Sequence, residues 1–216
     1  MFLQGALASL FALLFRHARW WLPLHLLFPL AIGFSLTLPI PAWLYLLAFL
    51  LMLLAYWGTA VGEVPLFLSS RQVAEALADI VLAHQSPNFI DLGAGIGSVV
   101  VPLAQRLPSL QITAVENAPL PWLILRWRCR HLANAKVIRA NFWNLDLGDF
   151  NTVYAFLSPA VMERLGTKCR LELKNGAWLI SSSFAIPQLM QNKSIPVNDR
   201  RQSRLYCYHY PAKPHS

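Results

Sequence analysis

Apolar residues dominate the first quarter of the chain, and no Asp, Glu, Lys or Arg occurs between residues 20 and 62. A single helix of that length would be about twice the ~30 Å thickness of a bilayer's hydrocarbon core. Pro39 and Pro41 disfavour helix near its middle. The pattern therefore predicts two transmembrane helices, near 22–38 and 42–58, joined by a turn.

Residues 1–15 are also apolar, but they lack the basic start of a signal peptide, and we interpret them as an interfacial helix. These segments make up a predicted membrane anchor over 1–62, ahead of a polar domain over 63–216. Arg16 and Arg19 precede the first span, so the positive-inside rule places the polar domain on the cytoplasmic side of a bacterial inner membrane. The matrix side of a mitochondrial inner membrane is the alternative. Core helices of an α-helical domain would show a similar apolar pattern.

Short apolar runs after residue 87 predict the strands of a sheet, and Ser98 to Leu107 predicts a helix between the first two strands. We therefore expect an α/β fold, a Rossmann-like sheet preceded by a transmembrane helical hairpin. The predicted strands are 89–92, 110–115, 136–140, 152–157, 177–184 and 205–210.

The chain is 56% hydrophobic and 13% charged, which excludes a disordered, collagenous or disulfide-scaffold protein. Its three cysteines form no Cys-x-x-Cys pair and have no His at ligand spacing, so neither a metal site nor a disulfide is expected. The net charge is +8, of which residues 63–216 contribute +6. An anionic lipid surface or a merely solvated face explains this charge better than nucleic acid, because no nucleic-acid-binding motif accompanies it.

The sequence motif with the clearest chemistry is Asp91-Leu-Gly-Ala-Gly-Ile-Gly97. It lies between a predicted strand and a predicted helix. Glycine allows a ligand to approach the backbone closely, and the free N–H groups at a helix start can donate to it. The motif therefore predicts a ligand-binding turn.

The next predicted strand ends in Glu116, where a carboxylate can accept hydrogen bonds from both ribose hydroxyls of an adenosine. A dinucleotide oxidoreductase and an S-adenosylmethionine methyltransferase both fit this βαβ unit. Asp91 would repel a pyrophosphate but suits the cationic methionine end of S-adenosylmethionine. The glycine spacing, G-x-G-x-G, also departs from the dinucleotide pattern, so we favour the methyltransferase.

These residues resemble motif I and the following acidic residue of class I S-adenosylmethionine-dependent methyltransferases. The segment Val64-Pro-Leu-Phe-Leu-Ser-Ser-Arg-Gln-Val-Ala74 further resembles the membrane-anchored lysine methyltransferases that modify ATP synthase, at its ring-forming membrane protein c, and the adenine nucleotide translocase. Glu116-Asn-Ala-Pro119, Leu157-Ser-Pro159 and Phe184-Ala-Ile-Pro187 are similar to the same family. The resemblance covers about residues 60–187.

The resemblance implies a membrane-anchored enzyme that uses S-adenosylmethionine and methylates a lysine of a membrane protein, with membrane lipid as a further partner. A lipid or quinone methyltransferase, or a non-catalytic membrane adaptor, remains open. No catalytic residue is identified, and Tyr154, Phe156, Ser158 and Pro159 are candidates on the substrate side. The implied cofactor-binding residues are Asp91, Gly93, Gly95, Gly97, Glu116, Asn141 and Phe142.

Overall fold

A computed structural model describes residues 2–14, 21–55 and 68–210. The chain divides into two compact units, Met1–Leu50 and Leu51–Ser216.

The amino-terminal part of the chain consists of three apolar helices: α1 (Phe2–Leu14), α2 (Trp21–Thr37) and α3 (Ala42–Ala55). α1 packs closely on α2, because a Cβ added at Gly5 would lie 3.0 Å from the carbonyl oxygen of His25. Ser9 Oγ also donates to the Leu22 carbonyl at 3.3 Å. Small residues on α1 therefore allow the two backbones to approach each other.

The prediction of two transmembrane helices, near 22–38 and 42–58, is wrong for the part of the chain that the structure describes. Within residues 2–14, 21–55 and 68–210, no helix has both the length and the apolar character needed to cross a membrane. A spanning helix needs about 20 residues, whereas α2 has 17 and α3 has 14. The end of the second predicted span and the predicted domain boundary at 62/63 lie outside the described residues.

The second unit contains a seven-stranded mixed sheet of order β3-β2-β1-β4-β5-β7-β6. The first five strands pair in parallel, and β7 pairs antiparallel with β5 and β6. The strands are β1 (Asn88–Leu92), β2 (Gln111–Glu116), β3 (Ala135–Arg139), β4 (Thr152–Ala155), β5 (Trp178–Ser182), β6 (Lys193–Pro196) and β7 (Arg204–His209).

Helices cover both faces of this sheet. On one face, α4 (Arg71–Ala83), α5 (Val100–Arg106) and α6 (Pro119–Cys129) pack over a core that includes Phe89. On the other face, α7 (Pro159–Glu172) packs over a core that includes Ile90. Phe89 and Ile90 are consecutive residues of β1 and point to opposite faces, as pleating requires.

The α/β fold and all six predicted strands are present, with ends shifted by a few residues. The structure adds β6, which the sequence analysis did not predict. β6 is four residues long, carries a proline, and lies at the edge of the sheet with mostly exposed or half-buried side chains. An edge strand that buries no continuous apolar face leaves little hydrophobic pattern to detect.

Candidate cofactor site

The glycine motif forms a tight loop after β1. The three glycines Gly93, Gly95 and Gly97 all have positive φ, at 80°, 56° and 81°. The backbone N–H groups of Gly93 and Ala94 donate to the Val115 carbonyl at 3.0 and 2.8 Å. The loop therefore bends back onto the carboxyl end of β2, in a conformation that residues with a Cβ rarely adopt.

Helix α6 supports the loop from one side. A Cβ added at Gly97 would lie 2.7 Å from Leu125 Cδ1, closer than real Cβ atoms approach a neighbour. Arg128 Nη1 donates to the Ile96 carbonyl at 2.7 Å. Packing and this hydrogen bond hold the loop at a defined distance from α6.

Glu116 joins the end of β2 to the loop. Its Oε2 accepts a hydrogen bond from the Gly95 N–H at 2.8 Å, and its Oε1 accepts one from the Ala118 N–H at 2.8 Å. The side chain is buried. The structure thus brings together the two segments that the sequence analysis singled out, the glycine motif and the acidic end of the next strand.

Asp91 lies at the same edge of the sheet, buried in β1. Desolvation by burial, with a smaller contribution from the Glu116 carboxylate, raises the pKa of Asp91 to about 8. Two neighbouring carboxyl groups in a buried setting favour a cationic ligand, because a positive charge relieves both effects. Together with the glycine turn, this arrangement fits the ammonium, sulfonium and ribose of S-adenosylmethionine.

Tyr154 of β4 is the register partner of Asp91. Its side chain is fully buried, and its hydroxyl lies 2.8 Å from Ser69 Oγ. This candidate for the substrate side therefore lies in the core, where it connects the sheet to the segment preceding α4. Phe156, two residues later, is half-buried and packs against the same core.

A second polar cluster fastens the start of α4, and the sequence analysis did not find it. Ser70 caps α4 by accepting from the Val73 N–H, and its hydroxyl donates to Asp199 Oδ2 at 2.7 Å. Asp199 also accepts from the backbone and hydroxyl of Ser203, and these hydrogen bonds lower the pKa of its carboxyl to about 2. Residues 70 and 199 are too far apart in the chain for any local pattern to reveal the pair.

The other two substrate-side candidates begin α7. Ser158 is its N-cap residue, with Oγ accepting from the Ala160 N–H at 3.3 Å, and Pro159 is its first, exposed residue. Both follow β4 and therefore lie at the carboxyl edge of the parallel strands, where open α/β sheets bind ligands. The structure assigns Ser158 a capping role and leaves its part in substrate binding a prediction.

Asn141 and Phe142 follow the carboxyl end of β3. Asn141 Oδ1 accepts from the Trp143 N–H at 3.0 Å and caps the short 3₁₀ helix Phe142–Asn144. The rings of Phe142 and Trp143 are 4.6 Å apart, and the Arg164 guanidinium lies 4.1 Å from the centre of the Trp143 ring. The contact of Asn141 and Phe142 with adenine stays a prediction.

Residues 91–193 match the family model described as the ANTKMT methyltransferase domain. The match begins at Asp91, includes Glu116 and Tyr154, and spans slightly less than half of the chain. It therefore covers the site described above.

Three curated proteins are similar to this chain. It is 32% identical over 124 residues to the adenine nucleotide translocase lysine N-methyltransferase of Mus musculus, covering 55% of this chain and 52% of that protein. It is 28% identical over 125 residues to the Mus musculus lysine N-methyltransferase that acts on protein c of ATP synthase, covering 56% and 48%. It is 27% identical over 159 residues to a protein-lysine N-methyltransferase of Saccharolobus islandicus, covering 68% and 94%. The chain spans about half the length of the two mouse relatives.

Solved structures share the fold. An RNA methyltransferase from Salinibacter ruber, in complex with S-adenosyl-L-homocysteine, matches with a TM-score of 0.61 at 16% identity, covering 69% of this chain and 97% of that one. The magnesium protoporphyrin IX methyltransferase of Synechocystis, with bound S-adenosylmethionine, matches with a TM-score of 0.52 at 15% identity, covering 64% and 79%. At these identities the likeness concerns the fold.

Proposed function

We propose that this chain, a class I methyltransferase by fold and similar to protein-lysine N-methyltransferases, binds S-adenosylmethionine and methylates a lysine of a membrane protein. The observation that carries the proposal is the contact between Glu116 and the glycine loop, beside the buried Asp91. This arrangement suits a ligand with a cationic amino-acid end and a ribose. The names of the mouse relatives support lysine as the acceptor and a membrane protein as its carrier.

When bound, S-adenosylmethionine supplies a methyl group on a positively charged sulfur, which a neutral amine can displace in line. The chain's own contribution is binding and alignment, which supply much of the rate in such reactions. The Glu116 carboxylate orients the ribose, and Asp91 in its ionised form holds the methionyl ammonium. The lysine must arrive uncharged, and desolvation at a partly apolar site mouth favours that form.

The amino-terminal helices support attachment to a membrane. Residues of α2 and α3 expose large apolar side chains, and Phe28, Phe34, Trp43 and Phe49 each have more than half of their surface accessible. Apolar patches of this extent mark interaction surfaces. The proposal places the enzyme at a bacterial inner membrane with its catalytic domain on the cytoplasmic side, the mitochondrial inner membrane with the domain in the matrix being the alternative.

The test incubates the full chain with membranes and S-adenosylmethionine carrying a labelled methyl group. The expected result is label in protein, recovered as methyl-lysine after hydrolysis. Label confined to the organic extract would replace the proposal with a lipid or quinone methyltransferase. Failure of the chain to bind S-adenosylmethionine in calorimetry would favour a non-catalytic adaptor.

Binding of S-adenosylmethionine is expected to release a proton from Asp91. Since the pKa of this carboxyl is raised to about 8 without ligand, the group is mostly protonated at neutral pH. A bound ammonium lowers that pKa, so the contribution of Asp91 to affinity grows as the pH rises toward 8. Calorimetry in buffers of different ionisation enthalpy measures the number of protons released.

The Asp91→Asn variant is the comparison, because it cannot release this proton and should release fewer than the wild type. Asp79→Asn, at an exposed position on α4, should behave as the wild type. Equal release by the wild type and Asp91→Asn contradicts the prediction. For folding without ligand, the same raised pKa stabilises the protein most below the carboxyl's ordinary pKa, and this contribution is lost as the pH rises toward 8.

A further inference from the structure

Helix α6 has apolar residues on both its buried and its exposed side. Pro121, Leu125 and Cys129, at intervals of four residues, are buried against the sheet. On the outer side, Leu123 and Trp127 have 54% and 64% of their surface exposed. Ile124 is 37% exposed beside them. A helix of this kind ordinarily presents polar residues to water on its outer side.

The charges around this outer side are all positive. The stretch 117–145 contains no Asp or Glu and carries Arg126, Arg128, Arg130, Lys136 and Arg139. The Arg130 guanidinium lies 4.3 Å from the centre of the Trp127 ring. Those of Arg126 and Arg139 lie 5.5 and 5.7 Å from the Trp122 ring centre. Arg128 is used otherwise, since it donates to the glycine loop.

We propose that the exposed face of α6, formed by Leu123, Ile124, Trp127, Arg126 and Arg130, docks on an anionic lipid surface. Indole and aliphatic groups enter the headgroup boundary while neighbouring arginines bind lipid phosphates, as in helices that lie at the membrane interface. This docking is a contact additional to the amino-terminal helices and does not depend on methyl transfer.

Two features favour lipid over other partners. Three exposed apolar side chains make a small patch compared with the ~800 Å² that each partner contributes to a stable protein interface. A bilayer requires no such closed, complementary surface. RNA would explain the arginines and offers stacking to tryptophan, but it gives no role to the exposed Leu123 and Ile124.

The test places a fluorescent probe on this face of the full chain. Ile124→Cys is labelled with an environment-sensitive dye, while the three native cysteines are buried. Leu171→Cys is the matched control, because Leu171 is 74% exposed on α7, which covers the opposite face of the sheet. Both proteins are mixed with vesicles of phosphatidylcholine, with or without phosphatidylglycerol, that carry spin-labelled acyl chains as quenchers.

The expected result is a blue shift and quenching at position 124 with the anionic vesicles, reversed by high salt, and no change at position 171. The double substitution Arg126→Gln and Arg130→Gln should lower the docked-to-undocked ratio at this face roughly 30-fold. Calorimetry with S-adenosylmethionine checks that this variant remains folded. Docking and methyl transfer are measured separately, so either can fail without the other.

Three outcomes would overturn the proposal. Equal signals at 124 and 171 would mean that this face does not meet lipid. The same shift with phosphatidylcholine alone would mean that charge does not direct the contact. A shift on adding RNA, or on raising protein concentration without vesicles, together with no response to anionic vesicles, would assign the face to RNA or to a second copy of the chain.

Discussion

Replacing Glu116 with glutamine is expected to weaken binding of S-adenosylmethionine by about 2–4 kcal/mol, or roughly 30- to 1,000-fold in Kd. The ionised carboxylate can accept from two ribose hydroxyls, and hydrogen bonds to a charged group are stronger than those to an amide. The substitution also affects the loop, because the carboxylate accepts from the N–H groups of Gly95 and Ala118. An amide would present one of these donors with another donor.

Calorimetry measures the affinity, and urea unfolding of the ligand-free protein measures the effect on the loop. Glu75→Gln is the matched control, because Glu75 is an exposed carboxylate on α4 and should leave both quantities unchanged. If Glu116→Gln binds as tightly as the wild type, Glu116 does not contact the ligand and serves only to hold the glycine loop.

Replacing Gly97 with alanine is expected to destabilise the ligand-free protein by about 2–5 kcal/mol. Two effects add. The φ of +81° disfavours any residue with a Cβ, at a cost of about 1–2 kcal/mol. In addition, the new methyl group would lie 2.7 Å from Leu125 Cδ1, so either the loop or α6 must move.

Gly176→Ala separates the two effects. Gly176 has nearly the same φ, +82°, but a Cβ there meets no atom within 4 Å. Comparing the urea midpoints of the two variants therefore isolates the clash, and Leu125→Ala in the Gly97→Ala background should recover part of it. Equal loss of stability in both single variants would show that the loop and α6 adapt to the extra methyl group without cost.

The glycine loop was predictable because its signal is local. Three glycines within five residues, entered by an apolar strand, specify a backbone conformation that depends on few distant contacts. The position of Glu116 followed from the regular length of a βαβ unit. The hydrogen bond from Gly95 to Glu116 was not predictable, since side-chain conformation depends on the packing of β2 against the loop.

The contacts of Ser69 and Ser70 had no such signal. Their partners are Tyr154 and Asp199, which are 85 and 129 residues away in the chain. Tyr154 was a substrate-side candidate because aromatic residues near the end of a strand attract cations. The structure instead buries its ring against the core and leaves its hydroxyl to Ser69.

By itself the sequence determined the alternation of strands and helices, the ligand-binding turn and the acidic residue that ends β2, because hydrophobic periodicity and glycine conformation act over a few residues. It overestimated the amino-terminal helices, since the absence of charge measures apolarity but not helix length. Only the tertiary structure decided the sheet order, the edge strand β6, the pairing of Glu116 with the loop and the exposed apolar side of α6. These depend on which surfaces meet after folding, and burial of one side of a helix leaves the other side's partner unspecified in the pattern.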